Sequence, residues 1–299
     1  MNQIDIELKS PLLLVIEITN LCNLSCLYCY SRKSRLSISK IDLPTFRKIV
    51  KEAKEMEIFD INLSGGEPFL HKNILDFIEI IVNNGFGISI VTNGTVIDSK
   101  MAQKLAEFNI IPYVQVSFDS SIPSIHNKTR GKFHLSLEGF MNMVEYAENK
   151  MDGPSIGIVI NKFNFKYLPE TIDFFSKYTN RFHLMNVMGH PELSLDIEEM
   201  KYFESIILQE IVEIAEEKDL IISNHRYREH YNEVKFKAQN LHIDCLAGLT
   251  TLVISPNLDV FPCDIGRYFL GNLKQDSLKN IYNKSKSLWK QRTKPWCEK

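Results

Sequence analysis

Three thiols, at Cys22, Cys26 and Cys29, share one eight-residue segment, Cys22-Asn-Leu-Ser-Cys26-Leu-Tyr-Cys29. The chain has six cysteines in 299 residues. At that density a given cysteine meets others at both +4 and +7 by chance only about once in 2,500 cases, so the cluster asks for a chemical reason. Three thiolates on a tight loop suit three irons of a four-iron cluster, which ordinarily takes four cysteines. One iron is then left open to a ligand that is not protein. The competing chemistry is a zinc knot. Zinc takes four tetrahedral ligands, often as separated Cys-x2-Cys pairs, and no histidine lies within forty residues of Cys29. The other three cysteines, Cys245, Cys263 and Cys297, all fall in the last fifth of the chain, and the long middle has none. Two sulfur sites, one near each end, are the simplest arrangement.

These thiols sit in an ordinary globular chain. Hydrophobic residues make up 44% and charged residues 24%, with a formal net charge of −2. No long basic run is present, so no nucleic-acid partner is expected. The N-terminal apolar run is too short to span a bilayer and carries Glu17, and no basic segment precedes it as in a signal peptide. A cytoplasmic protein with no membrane contact is therefore expected. In a reducing compartment clustered cysteines serve as metal ligands more readily than as disulfides.

The elements that must position the thiols can be read from the alternation of apolar runs and amphipathic stretches. Strands are expected at Leu12–Ile18, Ile61–Ser64, Ile88–Thr92, Tyr113–Phe118, Ile156–Ile160 and Phe182–Val187. Helices are expected between them, at Pro44–Met56, Ile74–Asn84, Lys100–Phe108, Leu135–Glu148 and Tyr167–Lys177. Pro44 suits a first helical turn, and Asn83-Asn84-Gly85 a helix stop. Strands separated by helices imply βαβ units and a parallel sheet. The fold class expected is α/β: a partial (β/α)6 TIM-like barrel over residues 1–190, a helical linker over 191–241, and a small α+β unit over 242–299. In such a barrel the chemistry lies at strand C-termini, where Cys22, Gly65, Asn93 and Asp119 all fall. In the linker, one long helix is expected over Leu195–Glu217 and a second over Tyr231–Leu241. A hairpin with a turn at Pro256-Asn257 and a short helix after Ser277 should complete the last unit.

Four motifs carry a resemblance to a known family. The cysteine loop resembles the Cys-x3-Cys-x2-Cys signature of radical S-adenosylmethionine (radical SAM) enzymes, with Tyr28 as the usual aromatic before the third cysteine. The resemblance implies that Cys22, Cys26 and Cys29 ligate a [4Fe–4S] cluster whose open iron S-adenosylmethionine chelates through its amino and carboxylate groups. One electron from the cluster would cleave the cofactor to a 5′-deoxyadenosyl radical that abstracts hydrogen from substrate. Leu63-Ser-Gly65-Gly66-Glu67-Pro68, at the end of the second strand, resembles the family's segment for the methionine amino group. The glycines allow close backbone approach, although a plain tight turn reads the same. Thr92-Asn93-Gly94 resembles a segment lining the cofactor pocket. Val116-Ser117-Phe-Asp119 with Arg130-Gly131 resembles the family's Ser-Leu-Asp … Arg-Gly pattern. Ser117 is thereby implied to contact the cofactor and Arg130 to clamp its carboxylate, for which a guanidinium fork is suited. Asp119 either orients the loop or meets substrate.

The C-terminal cysteines resemble the extensions of the SPASM and twitch subgroups: Asp244-Cys245-Leu-Ala-Gly248, a hairpin ending in Pro262-Cys263, then Gly271-Asn-Leu273. Leu258 stands where the hairpin turn usually has glycine, so a different turn type is expected. Only Glu298 and Lys299 follow Cys297, so a truncated, twitch-like unit with one auxiliary iron–sulfur cluster on Cys245, Cys263 and Cys297 is expected rather than a full SPASM domain.

A second cluster gives a second electron somewhere to go when the product is more oxidised than the substrate. The resemblance thus implies an oxidoreductase that matures a peptide by crosslinking. It also admits a dehydrogenase of a sugar or cyclitol alcohol, or a peptide epimerase, which would need one of the late cysteines as a free thiol. A non-catalytic iron–sulfur or zinc redox sensor is the alternative of another class, but a sensor has no use for a methionine carboxylate clamp. The implied partners are a peptide or small-molecule substrate and an external electron donor of flavodoxin or ferredoxin type. Since 21 residues precede Cys22, any leader-peptide-binding module is expected as a separate protein.

Overall fold

The computed structural model describes residues 8–30, 37–224, 245–291 and 296. Within these the chain forms two compact units, which do not follow chain order. The first comprises residues 1–21, 33–89 and 242–299, and the second 22–32 and 90–241.

In the first unit β1 (Leu13–Thr19) is flanked by two parallel neighbours, β2 (Asp60–Gly65) and β8 (Thr251–Ile254). The antiparallel strands β9 (Asp259–Phe261) and β10 (Gly271–Asn272) continue outward from β8. The C-terminal segment therefore extends the same sheet as β1. The β1 sequence Leu-Leu-Val-Ile-Glu-Ile-Thr is nearly continuously apolar because it is covered on both faces. Helix α1 (Leu43–Glu55) starts where Asp42 accepts a hydrogen bond from the Thr45 amide and Pro44 occupies the first turn. It buries Phe46, Ile49, Val50 and Ala53, and Phe46 stacks on Phe77 of α2 (Ile74–Asn83) at 4.1 Å.

The second unit holds the parallel order β3 (Gly87–Thr92), β4 (Val114–Ser117), β5 (Ser155–Ile160), β6 (Arg181–Asn186) and β7 (Ile221–Asn224). The division between units falls inside β3, after Ser89. Its helices are α3 (Ser99–Glu107), α4 (Pro123–Thr129), α5 (Phe133–Val144), α6 (Leu168–Phe175), α7 (Ile197–Tyr202) and α8 (Leu208–Lys218). Phe118, just after β4, is fully buried among Phe133, Phe140 and Phe175 and centres this core.

Expected and observed strands agree within a residue or so. The helix expected over Leu195–Glu217 is interrupted. Between α7 and α8, residues Phe203–Ile207 form a π-helical turn, which absorbs an extra residue per turn without breaking the apolar stripe. The helix after Ser277 is not short: α9 (Leu278–Gln291) has 14 residues and buries Leu278, Ile281 and Tyr282. The helix expected over Tyr231–Leu241, and Cys297, lie outside the described residues. The hairpin turn did not need a glycine: Leu258 takes the left-handed conformation itself, at φ 71°, with its amide bonded to the Ser255 carbonyl at 2.9 Å. Strand β7 and helix α4 were not anticipated.

Candidate functional site

The cysteine loop leaves β1 without regular structure, so individual hydrogen bonds fix it. The Cys29 amide donates to the Cys26 carbonyl at 3.3 Å, and the Leu27 amide to the Thr129 carbonyl at the end of α4 at 2.9 Å. The Leu24 amide donates to Cys22 Sγ at 3.5 Å. After β3, Asn93 is buried and its side chain is shared. Nδ2 donates to Asn23 Oδ1 at 3.0 Å and approaches Cys22 Sγ at 3.9 Å, while Oδ1 accepts from the Thr95 amide and hydroxyl. Donors aimed at a ligating sulfur are among the groups that tune an iron–sulfur centre.

All three thiols are half-buried and none is in a disulfide. Burial raises the Cys26 pKa, Arg130 opposes that, and Asp119, Cys29 and Cys22 add to it. A thiolate there needs positive charge, which iron brings. Among the described residues no three His, Cys, Asp or Glu side chains close on a single ion. A four-iron cluster makes no such demand, because each thiolate takes its own iron. The donor set, three sulfurs on one loop, fits that group.

The second part of the site centres on Asp119, fully buried after β4. Its Oδ2 accepts from the Tyr28 hydroxyl at 2.5 Å and the Thr129 hydroxyl at 2.5 Å, and its Oδ1 from Arg130 Nε at 2.8 Å. Asn164 Nδ2 donates to its main-chain carbonyl at 2.8 Å. Asp119 therefore ties the cysteine loop, α4 and the turn after β5 together, and orients the loop. Burial keeps Tyr28 a neutral phenol, its pKa well above the ordinary value, and its ring packs with Val187 and Leu193. Burial alone would lower the Arg130 pKa, but Asp119 outweighs it and the guanidinium stays charged. Ser117 ends β4 and is buried beside this cluster in sequence.

In the first unit the Gly-Gly-Glu-Pro turn is built against the end of β1. Gly65 has φ 133°, which only glycine adopts readily, and the Gly66 and Glu67 amides donate to the Thr19 and Leu21 carbonyls, each at 2.7 Å. A Cβ on Gly65 would strike the Thr19 carbonyl oxygen, and one on Gly66 that of Leu21. Glu67 is fully buried, and its Oε1 accepts from the Phe69 amide at 3.1 Å, starting a 3-10 turn over Pro68–Leu70.

Two of the three late cysteines, Cys245 and Cys263, are described, and both are half-buried. Cys263 Sγ accepts amide hydrogens from Ile265 at 3.3 Å and Gly266 at 3.1 Å. Burial nevertheless pushes its pKa up to about 11, with Cys245 among the smaller contributors. Trp289 Nε1 donates to the Cys245 carbonyl at 2.9 Å. Arg267, four residues after Cys263, reaches back to pair with the buried Glu17 of β1. This pair was not anticipated, although a lone acid in an apolar strand was its visible sign. Thr129, Asn23 and Thr95 were likewise missed, since nothing in their local sequence marks them.

Comparison with known proteins gives the class. The sequence profile of the radical SAM superfamily matches residues 16–175, more than half of the chain, and this protein belongs to that superfamily. The profile of SPASM, an iron–sulfur cluster-binding domain, matches residues 245–299. Among individual proteins, the chain is similar to the mycofactocin maturase MftC of Mycobacterium tuberculosis, at 26% identity over 178 residues, covering 59% of this chain and 44% of MftC. It is also similar to the antilisterial bacteriocin subtilosin biosynthesis protein AlbA of Bacillus subtilis, at 25% identity over 293 residues, covering 93% of this chain and 60% of AlbA. The chain thus spans under half the length of MftC. SuiB of Streptococcus suis shares the fold at 18% identity, with a TM-score of 0.73 when bound to S-adenosylmethionine and 0.75 when bound to its precursor peptide SuiA. Those alignments cover 92% of this chain and 66% or 65% of SuiB. The likeness carries the fold class expected from the sequence, the partial barrel of radical SAM enzymes with a small C-terminal cluster-binding region.

Proposed function

We propose that this chain is a radical SAM peptide maturase. In this reading Cys22, Cys26 and Cys29 hold a [4Fe–4S] cluster, and Cys245, Cys263 and Cys297 hold one auxiliary iron–sulfur cluster. When bound, the reduced first cluster supplies the electron that cleaves S-adenosylmethionine, and the fragment released removes a hydrogen atom from the substrate. The chain's own residues do the holding and tuning. Asn93 and the Leu24 amide direct N–H groups at Cys22 Sγ. Asp119 fixes the Tyr28 side of the loop and one edge of the Arg130 guanidinium. In the family's pattern Ser117 would contact the cofactor ribose or carboxylate, and Arg130 would clamp the carboxylate. Gly65, Gly66, Glu67 and Pro68 take its amino group, with Glu67 acting through the shape of the turn that it caps.

The observation that carries the reading is the set of three cysteines on one loop, with the Asn93 amide turned to the first of them. The peptide substrate rests on likeness: MftC is a maturase, AlbA a bacteriocin biosynthesis protein, and SuiB is seen with a precursor peptide. A flavodoxin- or ferredoxin-type donor supplies the electron. The test is incubation of the reconstituted protein with short peptides encoded beside its gene. Loss of two hydrogens from one peptide, dependent on S-adenosylmethionine, supports peptide maturation; unchanged peptides and an oxidised sugar or cyclitol alcohol contradict it.

A further inference from the structure

Apart from the cysteine loop and the Asp119 cluster, the second unit has a recess of about 450 Å³ whose walls follow the C-terminal ends of three consecutive strands. Helix α4, after β4, contributes Lys128. The turn after β5 contributes Lys162, Phe163, Lys166 and Tyr167, and α7, after β6, contributes Glu199. In an α/β barrel these are the ends that face substrate.

The lining has a definite character. Lys128 Nζ lies 3.8 Å from the centre of the Phe163 ring and Lys162 Nζ 5.3 Å from it, while Lys166 Nζ lies 5.5 Å from the Phe165 ring and 5.8 Å from that of Tyr202. Rings at this range attract the three ammonium groups towards the recess, although all three lysines are exposed. Among the described residues none of the three forms a salt bridge. Glu192, held mainly by its hydrogen bond with His190, also feels Lys162. The acid in the lining, Glu199, is committed elsewhere: it closes the capping box of α7 with Asp196. The recess therefore presents three ammonium groups against the one carboxylate of its lining, a net positive charge beside aromatic faces. Two further features mark it. The π-helical turn Phe203–Ile207 begins directly after Tyr202, and such turns often accompany functional sites. Phe163 packs against the cluster of Tyr28, Val187 and Leu193, so the recess adjoins the residue that anchors the cysteine loop.

We propose that this recess docks an acidic segment of the peptide substrate, its carboxylates against Lys128, Lys162 and Lys166 and its apolar side chains against Phe163 and Tyr167. The volume is that of a ligand pocket, suited to a few side chains of an extended chain. A globular electron donor would instead need a broad surface patch. The proposal rests on the peptide reading above and names where and how such a peptide is held.

The test is calorimetric titration of the whole cluster-loaded protein with an acetylated decapeptide carrying four glutamates, and with the same peptide carrying glutamines. The glutamate peptide is expected to bind, and to weaken about tenfold in the Lys128→Gln/Lys162→Gln/Lys166→Gln variant, three exposed charge pairs being lost. Thermal melting checks that the variant is folded; these side chains are exposed. Equal binding by the variant, equal binding of the glutamine peptide, or displacement by inorganic phosphate at equal concentration would overturn the proposal. Cleavage of S-adenosylmethionine by the unaltered protein under chemical reductant tests the radical reading by itself, so the two failures are separable.

Discussion

The Tyr28 hydroxyl donates to Asp119 Oδ2 at 2.5 Å, joining the residue before Cys29 to the end of β4 across 91 positions of sequence. Asp119 also takes Thr129 and Arg130, so one buried carboxylate holds the loop, the end of α4 and the guanidinium. Tyr28→Phe keeps the ring against Val187 and Leu193 but deletes one donor to a buried charge. It should cost about 2 kcal/mol in urea unfolding and still load iron. Asp119→Ala, which strands the buried Arg130 charge, should cost about 3–5 kcal/mol and lower iron retention. Equal, small effects of the two substitutions would show that Asp119 is not the hub.

The glycine turn permits a sharper test. Gly66→Ala places a methyl group on the Leu21 carbonyl oxygen, one residue before Cys22. Backbone on both sides must shift, because the obstacle is not a flexible side chain. We expect a loss of at least about 2 kcal/mol in stability, with S-adenosylmethionine binding by equilibrium dialysis weakened beyond what the lowered stability explains. Gly85→Ala, where a Cβ meets nothing, serves as the control outside the turn, bearing only the strain of its φ of 80°.

His126 predicts a pH dependence. It is fully buried, its Nδ1 faces the Asp119 amide at 3.4 Å, and its Nε2 has no hydrogen-bond partner among the described residues. Burial, partly offset by Asp119, lowers its pKa to about 4 from the ordinary 6.5. The unfolded chain therefore takes up a proton before the folded one does. The contribution is intact above about pH 6.5 and is lost as pH falls towards 4, about 2 kcal/mol of it by pH 5. Urea unfolding at pH 7.5 and pH 5 should show this extra loss in the natural chain and not in His126→Gln. Parallel losses would contradict it.

Much of this was legible beforehand, for reasons that can be named. Strands β1 to β6 are apolar runs bounded by turn residues, and α1 announces itself with Asp42 and Pro44. Other features lacked a local sign. Strand β7 is only four residues long and follows a left-handed Asp219. Helix α4 overlaps a motif that reads as a loop. A π-helical turn keeps the helical apolar stripe and so hides in it. In the site, the cysteines and glycines were legible because their chemistry or backbone is peculiar to those residue types. The Asp119–Tyr28 and Glu17–Arg267 contacts depend on which strands become neighbours, which no short segment encodes.

For the C-terminal site, Cys263→Ala should lower the iron content per chain while leaving about four irons, the complement of the first cluster. Cys22→Ala should do the reverse, sparing the auxiliary signal in electron paramagnetic resonance. Loss of all iron in both variants would mean that the two sites do not load independently.

The central claim is that Cys22, Cys26 and Cys29 support reductive cleavage of S-adenosylmethionine. Its most direct test is anaerobic reconstitution with iron and sulfide, addition of S-adenosylmethionine and dithionite, and chromatographic measurement of 5′-deoxyadenosine. The account predicts 5′-deoxyadenosine from the natural chain and none above background from Cys22→Ala, Cys26→Ala or Cys29→Ala. No 5′-deoxyadenosine from the natural chain, with iron and sulfide demonstrably bound, would contradict it.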